Sequence, residues 1–184
     1  IYGGQGYIRE WGAEQYVRDA RIAQIYEGTN GIQALDLMGR KVVSNKGEYV
    51  KIFEQDIRNF IAANADNTFV QPYLEKLSAA VDTLVQVTEG VIEKAQANPE
   101  EIGAASQDYL DLFGLVTYSY MWARMVAVAA PKAESDTSGF YGAKVKVASF
   151  FFARVLPKAA SLAAQVNAGA ETLMDLDEEL FYGE

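Results

Sequence analysis

Leu74, Leu77, Val81, Leu84, Thr88, Val91 and Ala95 recur at alternating spacings of three and four residues over three heptads. Only a helix gathers such positions onto one stripe. A stripe of that length packs against neighbouring helices at a shallow angle, and intramolecular packing suits it better than a free coiled coil. The chain around it carries only four prolines, at 72, 99, 131 and 157, and no alternating apolar and polar runs joined by hairpin turns. The fold class that follows is all-α, a helical bundle of about four long helices.

The other segments fit that frame. Gly3, Gly4, Gly6 and Gly12 make the first stretch an irregular loop. Glu14 to Ile25 suits a short helix, and Glu27 to Gly31 breaks it. Ile32 to Val43 reads as another helix, with Ile32, Leu35, Met38 and Val42 on one face, and Ser44 to Gly47 as a turn. Residues 48–64 place Phe53, Ile57, Phe60 and Ile61 on one stripe before Asn64 to Asn67 interrupts. Asn98 is a candidate N-cap with Pro99 at the first helical position. Residues 100–130 are apolar nearly all round in their second half, which predicts a central buried helix closed by Pro131. After a loop from Ser135 to Gly139, Phe140 to Asn167 reads as the last long helix, kinked near Pro157 and capped by Gly169. The remainder is an acidic tail with apolar spots at Leu173, Leu176 and Leu180. The chain thus divides into a front of residues 1–43 and a bundle of residues 48–184.

The absent residue types narrow the chemistry. Among 184 residues there is no Cys, which removes disulfides, thiolate nucleophiles and zinc–sulfur sites. There is no His, which removes Ser-His catalysis and imidazole ligands. Acid–base work falls to carboxylates, Lys or Tyr. Sixteen Lys and Arg against 25 Asp and Glu give a net charge of −9, which disfavours nucleic-acid and anionic-membrane partners. Asp175, Asp177, Glu178 and Glu179 lack calcium-loop spacing and read as a solvated tail, so no metal site is expected. The longest uncharged apolar stretch, Leu112 to Ala123, is too short to span a bilayer. No charged leader precedes an apolar run at Ile1-Tyr2-Gly3-Gly4, and the opening reads as internal to a longer polypeptide. A bacterial-type cytoplasmic location is the expectation.

Unusual local chemistry is confined to the front. Residues 22–33 read I-A-Q-I-Y-E-G-T-N-G-I-Q. Glu27 stands where one helix gives way to a glycine turn, and Thr29 or Asn30 can cap the next helix. The start of that helix suits an anionic or carbonyl-bearing ligand. Enclosure by Ile25 and Tyr26 would exclude water from the carboxylate and strengthen it as a base. The plainer alternative is an ordinary capping turn with a solvated glutamate. Arg18, Asp19 and Arg21 are better read as a salt-bridged helix surface than as an anion site. The aromatics Tyr118, Tyr120, Trp122, Phe140, Tyr141 and Phe150 to Phe152 suit helix packing and subunit contacts better than a ligand cavity.

Gly3-Gly4-Gln5-Gly6-Tyr7, Glu10, Arg18-Asp19-Ala20-Arg21-Ile22 and the run from Ile25 to Gln33 together resemble the C-terminal catalytic stretch of the acyl-CoA dehydrogenase family. Residues from about 48 onward resemble the extra helical domain that follows this stretch in the long members. The closing run Leu173 to Phe181 fits the end of those chains. The bundle is then preceded by the C-terminal helices and catalytic loop of the family's helical domain.

The resemblance implies a role for each matched residue. Glu27 aligns with the base that removes the pro-R α-proton of an acyl-CoA thioester, while FAD accepts a hydride from the β-carbon and a trans-2-enoyl-CoA results. Tyr26 and Gly28 would lie beside the substrate, where a larger residue at 28 would block its approach. Thr29 aligns with a contact to the FAD pyrophosphate region. Gly31 departs from shorter members, which often carry Gln there for FAD, and Asn30 is the compensating candidate. Gly3 and Gly4 belong to a turn near the ADP part of FAD in a neighbouring subunit. Their spacing is not the dinucleotide fingerprint G-x-G-x-x-G. The implied partners are acyl-CoA and an electron-transfer flavoprotein. Short members pair dimers through their C-terminal helices, so a bundle covering that surface would leave a homo-oligomer that is a dimer. The flavin-gripping domains are not in these residues, so this stretch alone is expected to be inactive. The alternative class is a non-catalytic helical interaction or oligomerisation module of the parent flavoprotein.

Overall fold

A computed structural model describes residues 2–181, and among these residues there are helices and turns and no strands. Two short 3-10 turns, Gly3–Tyr7 and Arg9–Trp11, precede α1 (Ala13–Ile25) and α2 (Thr29–Leu35). A wide-turned π segment, Asp36–Val43, follows. Then come α3 (Glu48–Ala63), α4 (Gln71–Ala97), α5 (Glu100–Ala133), α6 (Phe140–Phe150), a second π segment (Phe151–Val155), α7 (Lys158–Ala168) and α8 (Glu171–Met174).

The chain forms two compact units that divide after Gln33. Within the first, no described residue is buried. Its helix α1 packs against the two 3-10 turns.

The second unit has its own core, and α5 is its centre, packed against the first π segment, α4, α6 and α7. The seam read from sequence is the inner face of α4: Leu74, Leu77, Val81, Leu84, Thr88 and Val91 are all buried. Facing it, α5 buries Tyr109, Leu112, Val116 and Ala123. Each fully buried Leu or Val contributes roughly 1.5–3 kcal/mol by leaving water. Phe53 of α3 stacks on Phe113 of α5 at 5.1 Å, and Phe60 meets Tyr120 edge-on at 5.5 Å. Arg58 joins α3 to α4, donating to Ser78 Oγ at 2.8 Å and pairing with Glu54 and Asp82.

Several boundaries differ from the sequence reading. The helix expected over Ile32 to Val43 is a short α-helix that widens into a π segment. Its buried positions are Ala34, Met38 and Val42, while Ile32 and Leu35 are exposed. Met38 and Val42 belong to the core of the second unit. The helix α5 starts at Glu100, and Asn98 Oδ1 accepts the Glu100 N–H at 3.0 Å. Pro131 lies inside the last turn of α5 and does not end it. The helix expected from Phe140 to Asn167 is divided. Pro157 donates no N–H and its ring crowds the carbonyl four residues back. The preceding turn widens, and the Leu156 N–H reaches the Phe151 carbonyl at 2.9 Å.

Two helical stretches, Glu100–Ala133 and Phe140–Ala168, are long and apolar enough to cross a membrane by length and composition alone. That hydropathy exceeds what the run from Leu112 to Ala123 suggests. It is also what the centre of a bundle requires, and α5 has its buried face turned to α4 and α7.

Candidate functional site

The run Tyr26-Glu27-Gly28 is the link between α1 and α2. The last bond of α1 is Tyr26 N–H to the Ile22 carbonyl at 3.1 Å. Tyr26 leaves the helical region, and α2 begins at Thr29. Its first main-chain bond runs from the Ile32 N–H to the Gly28 carbonyl at 3.3 Å.

Glu27 supplies the side-chain cap. Its Oε1 accepts the Asn30 N–H at 2.9 Å. Thr29 and Asn30 therefore do not cap α2, as read from sequence; both already lie within its first turn. A carboxylate three residues before an orphan N–H can reach it, and the positive end of the helix favours its charge. The second oxygen, Oε2, has no hydrogen-bond partner among the described residues.

The enclosure expected around Glu27 is absent from these residues. Ile25 and Tyr26 are 64% and 73% exposed, and Glu27 itself is exposed. Gly28 is not crowded: a Cβ placed there meets nothing within 4 Å. The same holds for Gly4 and Gly3, although Gly3 has φ +55°, a left-handed conformation that favours glycine.

Glu27, Gly28, Thr29 and Asn30 form one exposed cluster, with Tyr26 beside them. Gly3 and Gly4 stand in the first 3-10 turn. That turn is pinned by a residue the sequence reading missed: the Trp11 indole N–H donates to Gln5 Oε1 at 2.9 Å. A spacing of six residues across two 3-10 turns belongs to no regular period, so no pattern signals it. Arg18 pairs with Glu14 at 2.6 Å, four residues earlier, and Arg21 donates to Gln24 at 2.7 Å. The basic residues of α1 are a paired helix surface.

Comparison with known proteins gives the family of the chain. Residues 53–177 match the family described as Acetyl-CoA dehydrogenase C-terminal like. The chain belongs to the acyl-CoA dehydrogenase family. Residues 1–42 match a second description, Acyl-CoA dehydrogenase, C-terminal domain. A broad-specificity linear acyl-CoA dehydrogenase of Mycobacterium tuberculosis is 31% identical across 97% of this chain and 31% of its own length. A 3-methylmercaptopropionyl-CoA dehydrogenase of Ruegeria pomeroyi is 31% identical across 95% of this chain and 30% of its own. A mitochondrial short-chain specific acyl-CoA dehydrogenase of Rattus norvegicus is 59% identical over 39 residues, covering 21% of this chain and 10% of its own. The chain spans about a third of the length of the first two relatives.

Proposed function

We propose that this acyl-CoA dehydrogenase family chain is the C-terminal portion of an FAD-dependent enzyme that converts an acyl-CoA thioester to the trans-2-enoyl-CoA, with Glu27 as base. The observation that carries this reading is the Glu27 carboxylate, held at one oxygen by the Asn30 N–H and free at the other. That arrangement fixes the side chain without consuming the oxygen that would take a proton. Glu27 Oε2 removes the α-proton. FAD, when bound, supplies the hydride acceptor for the β-carbon.

The residues fit such a cofactor. Thr29 presents a hydroxyl, and Asn30 an amide, with no side-chain partner among the described residues. Gly3, Gly4 and Gly28 leave room for a close approach. Thr29, Asn30, Gly3 and Gly4 would hold FAD, and Tyr26 and Gly28 would line the acyl-CoA. Water exclusion, which a base in this chemistry needs, is not provided by Ile25 and Tyr26.

In this reading residues 1–43 close the catalytic domain and residues 48–184 are an add-on bundle. This stretch alone retains no FAD and is inactive. The full-length protein is a cytoplasmic dimer that passes electrons to an electron-transfer flavoprotein. A second reading, an interaction module without chemistry, is favoured for the bundle alone by its self-contained core. The test is flavin absorbance and acyl-CoA-dependent dye reduction by the full-length protein. Bound flavin with substrate-dependent reduction supports the proposal, and a colourless protein that reduces no dye overturns it.

A further inference from the structure

A groove of about 640 Å³ lies between α5 and α6, lined by Met121, Arg124, Val128, Phe140, Tyr141 and Lys144 and by no carboxylate. Val128 and Phe140 are 59% and 57% exposed. Its cations rest on aromatic rings: Arg124 lies 5.4 Å from the Tyr120 ring centre, and Lys144 lies 5.2 Å from that of Phe140. Neither has an ion-pair partner among the described residues. Residues 137–170 contain Lys144, Lys146, Arg154 and Lys158 and no Asp or Glu. Asp136 borders the groove, accepting the Tyr141 N–H at 2.9 Å, and the charged side chains that line it are the cations Arg124 and Lys144.

The tail has the complementary character. Residues 171–181 carry Glu171, Asp175, Asp177, Glu178 and Glu179 and no Lys or Arg. Leu173, Leu176 and Leu180 stand 64%, 52% and 66% exposed. An acidic segment with spaced leucines matches an apolar groove edged by unpaired cations, both in charge and in what each leaves in water.

We propose that residues 171–181 of one copy dock in the α5–α6 groove of a second copy. Reach excludes the chain's own groove for the whole segment. The Ala170 N–H donates to Glu101 Oε1 at 3.1 Å, at the opposite end of α5 from the groove. From Glu101 to Met125 the helix rises about 36 Å. Leu173 follows Ala170 by three residues and reaches about 10 Å. Seating all three leucines together requires a second molecule. This inference does not depend on the role of Glu27.

The test places the photo-crosslinking residue p-benzoylphenylalanine at position 176 of the full-length protein. Illumination should produce a species of doubled mass on a denaturing gel, with the label joined to a peptide from residues 121–144. Reversing the exposed cations by Arg124→Glu with Lys144→Glu should lower that yield about ten-fold. Adding Asp175→Lys and Asp177→Lys should restore it. A crosslink within one chain, to another surface, or none at all overturns the proposal. So does a yield indifferent to the charge reversal.

Discussion

The Tyr109 hydroxyl lies 2.6 Å from Thr88 Oγ1, and Thr88 donates its own proton to the Leu84 carbonyl at 2.7 Å. Each hydroxyl has one proton, so Tyr109 is the donor in the first bond. The relay ties α5 to α4 inside the core, where Tyr109 is fully buried and Thr88 nearly so. Thr88→Val leaves the Tyr109 hydroxyl buried without an acceptor, and should cost about 1–3 kcal/mol. Tyr109→Phe leaves Thr88 bonded to Leu84 and should cost about 1 kcal/mol. Urea unfolding of the two variants measures both; the reverse order would refute this direction for the relay.

The same burial makes stability fall at high pH. Desolvation pushes the Tyr109 hydroxyl up from 10.0 to about 12. The folded value lies above the unfolded one, so this contribution is complete below pH 10 and is lost as pH rises towards 12. The difference corresponds to roughly 3 kcal/mol. Unfolding followed from pH 9 to pH 12 should show a fall that is shallower in Tyr109→Phe. Equal slopes would show that other groups control the alkaline limit.

Gly169 ends α7 with φ 78° and ψ −170°, a conformation nearly confined to glycine. A Cβ there would meet both Glu101 carboxylate oxygens at 3.1 Å. Gly169→Ala should therefore cost about 1–3 kcal/mol, read as a drop in thermal midpoint. An unchanged midpoint would mean that the chain end readily finds another conformation.

Glu27→Gln separates capping from catalysis. The amide oxygen can still accept the Asn30 N–H, so the link and the flavin should persist. Loss of the base should lower acyl-CoA dehydrogenation in the full-length protein by about 10²–10⁴-fold. Near-normal turnover in steady-state dye reduction would place the base elsewhere.

Limited proteolysis should respect the division after Gln33. Residues 2–33 contain no buried side chain, whereas α4 and α5 form the core of the second unit. In this chain the first cuts should fall before residue 34 and leave a resistant bundle. Early cuts within residues 74–96 or 108–130 would contradict it.

The sequence by itself determined the helical class, the α4 seam and the position of Glu27 between two helices. Those features are written in local spacing: threes and fours along Leu74 to Val91, and glycine beside a carboxylate in Glu27-Gly28. The structure decided that Glu27, rather than Thr29 or Asn30, supplies the side-chain cap of α2. It also decided that Met38 and Val42 bury while Ile32 does not, since a widened helical turn shifts the inward face away from a strict period. The Gln5–Trp11 bond, the relay from Tyr109 and the meeting of Glu101 with Ala170 join residues at separations no periodicity encodes. Burial and hydrogen-bond geometry are set by what packs nearby in space, and a chain read residue by residue specifies that only once it has folded.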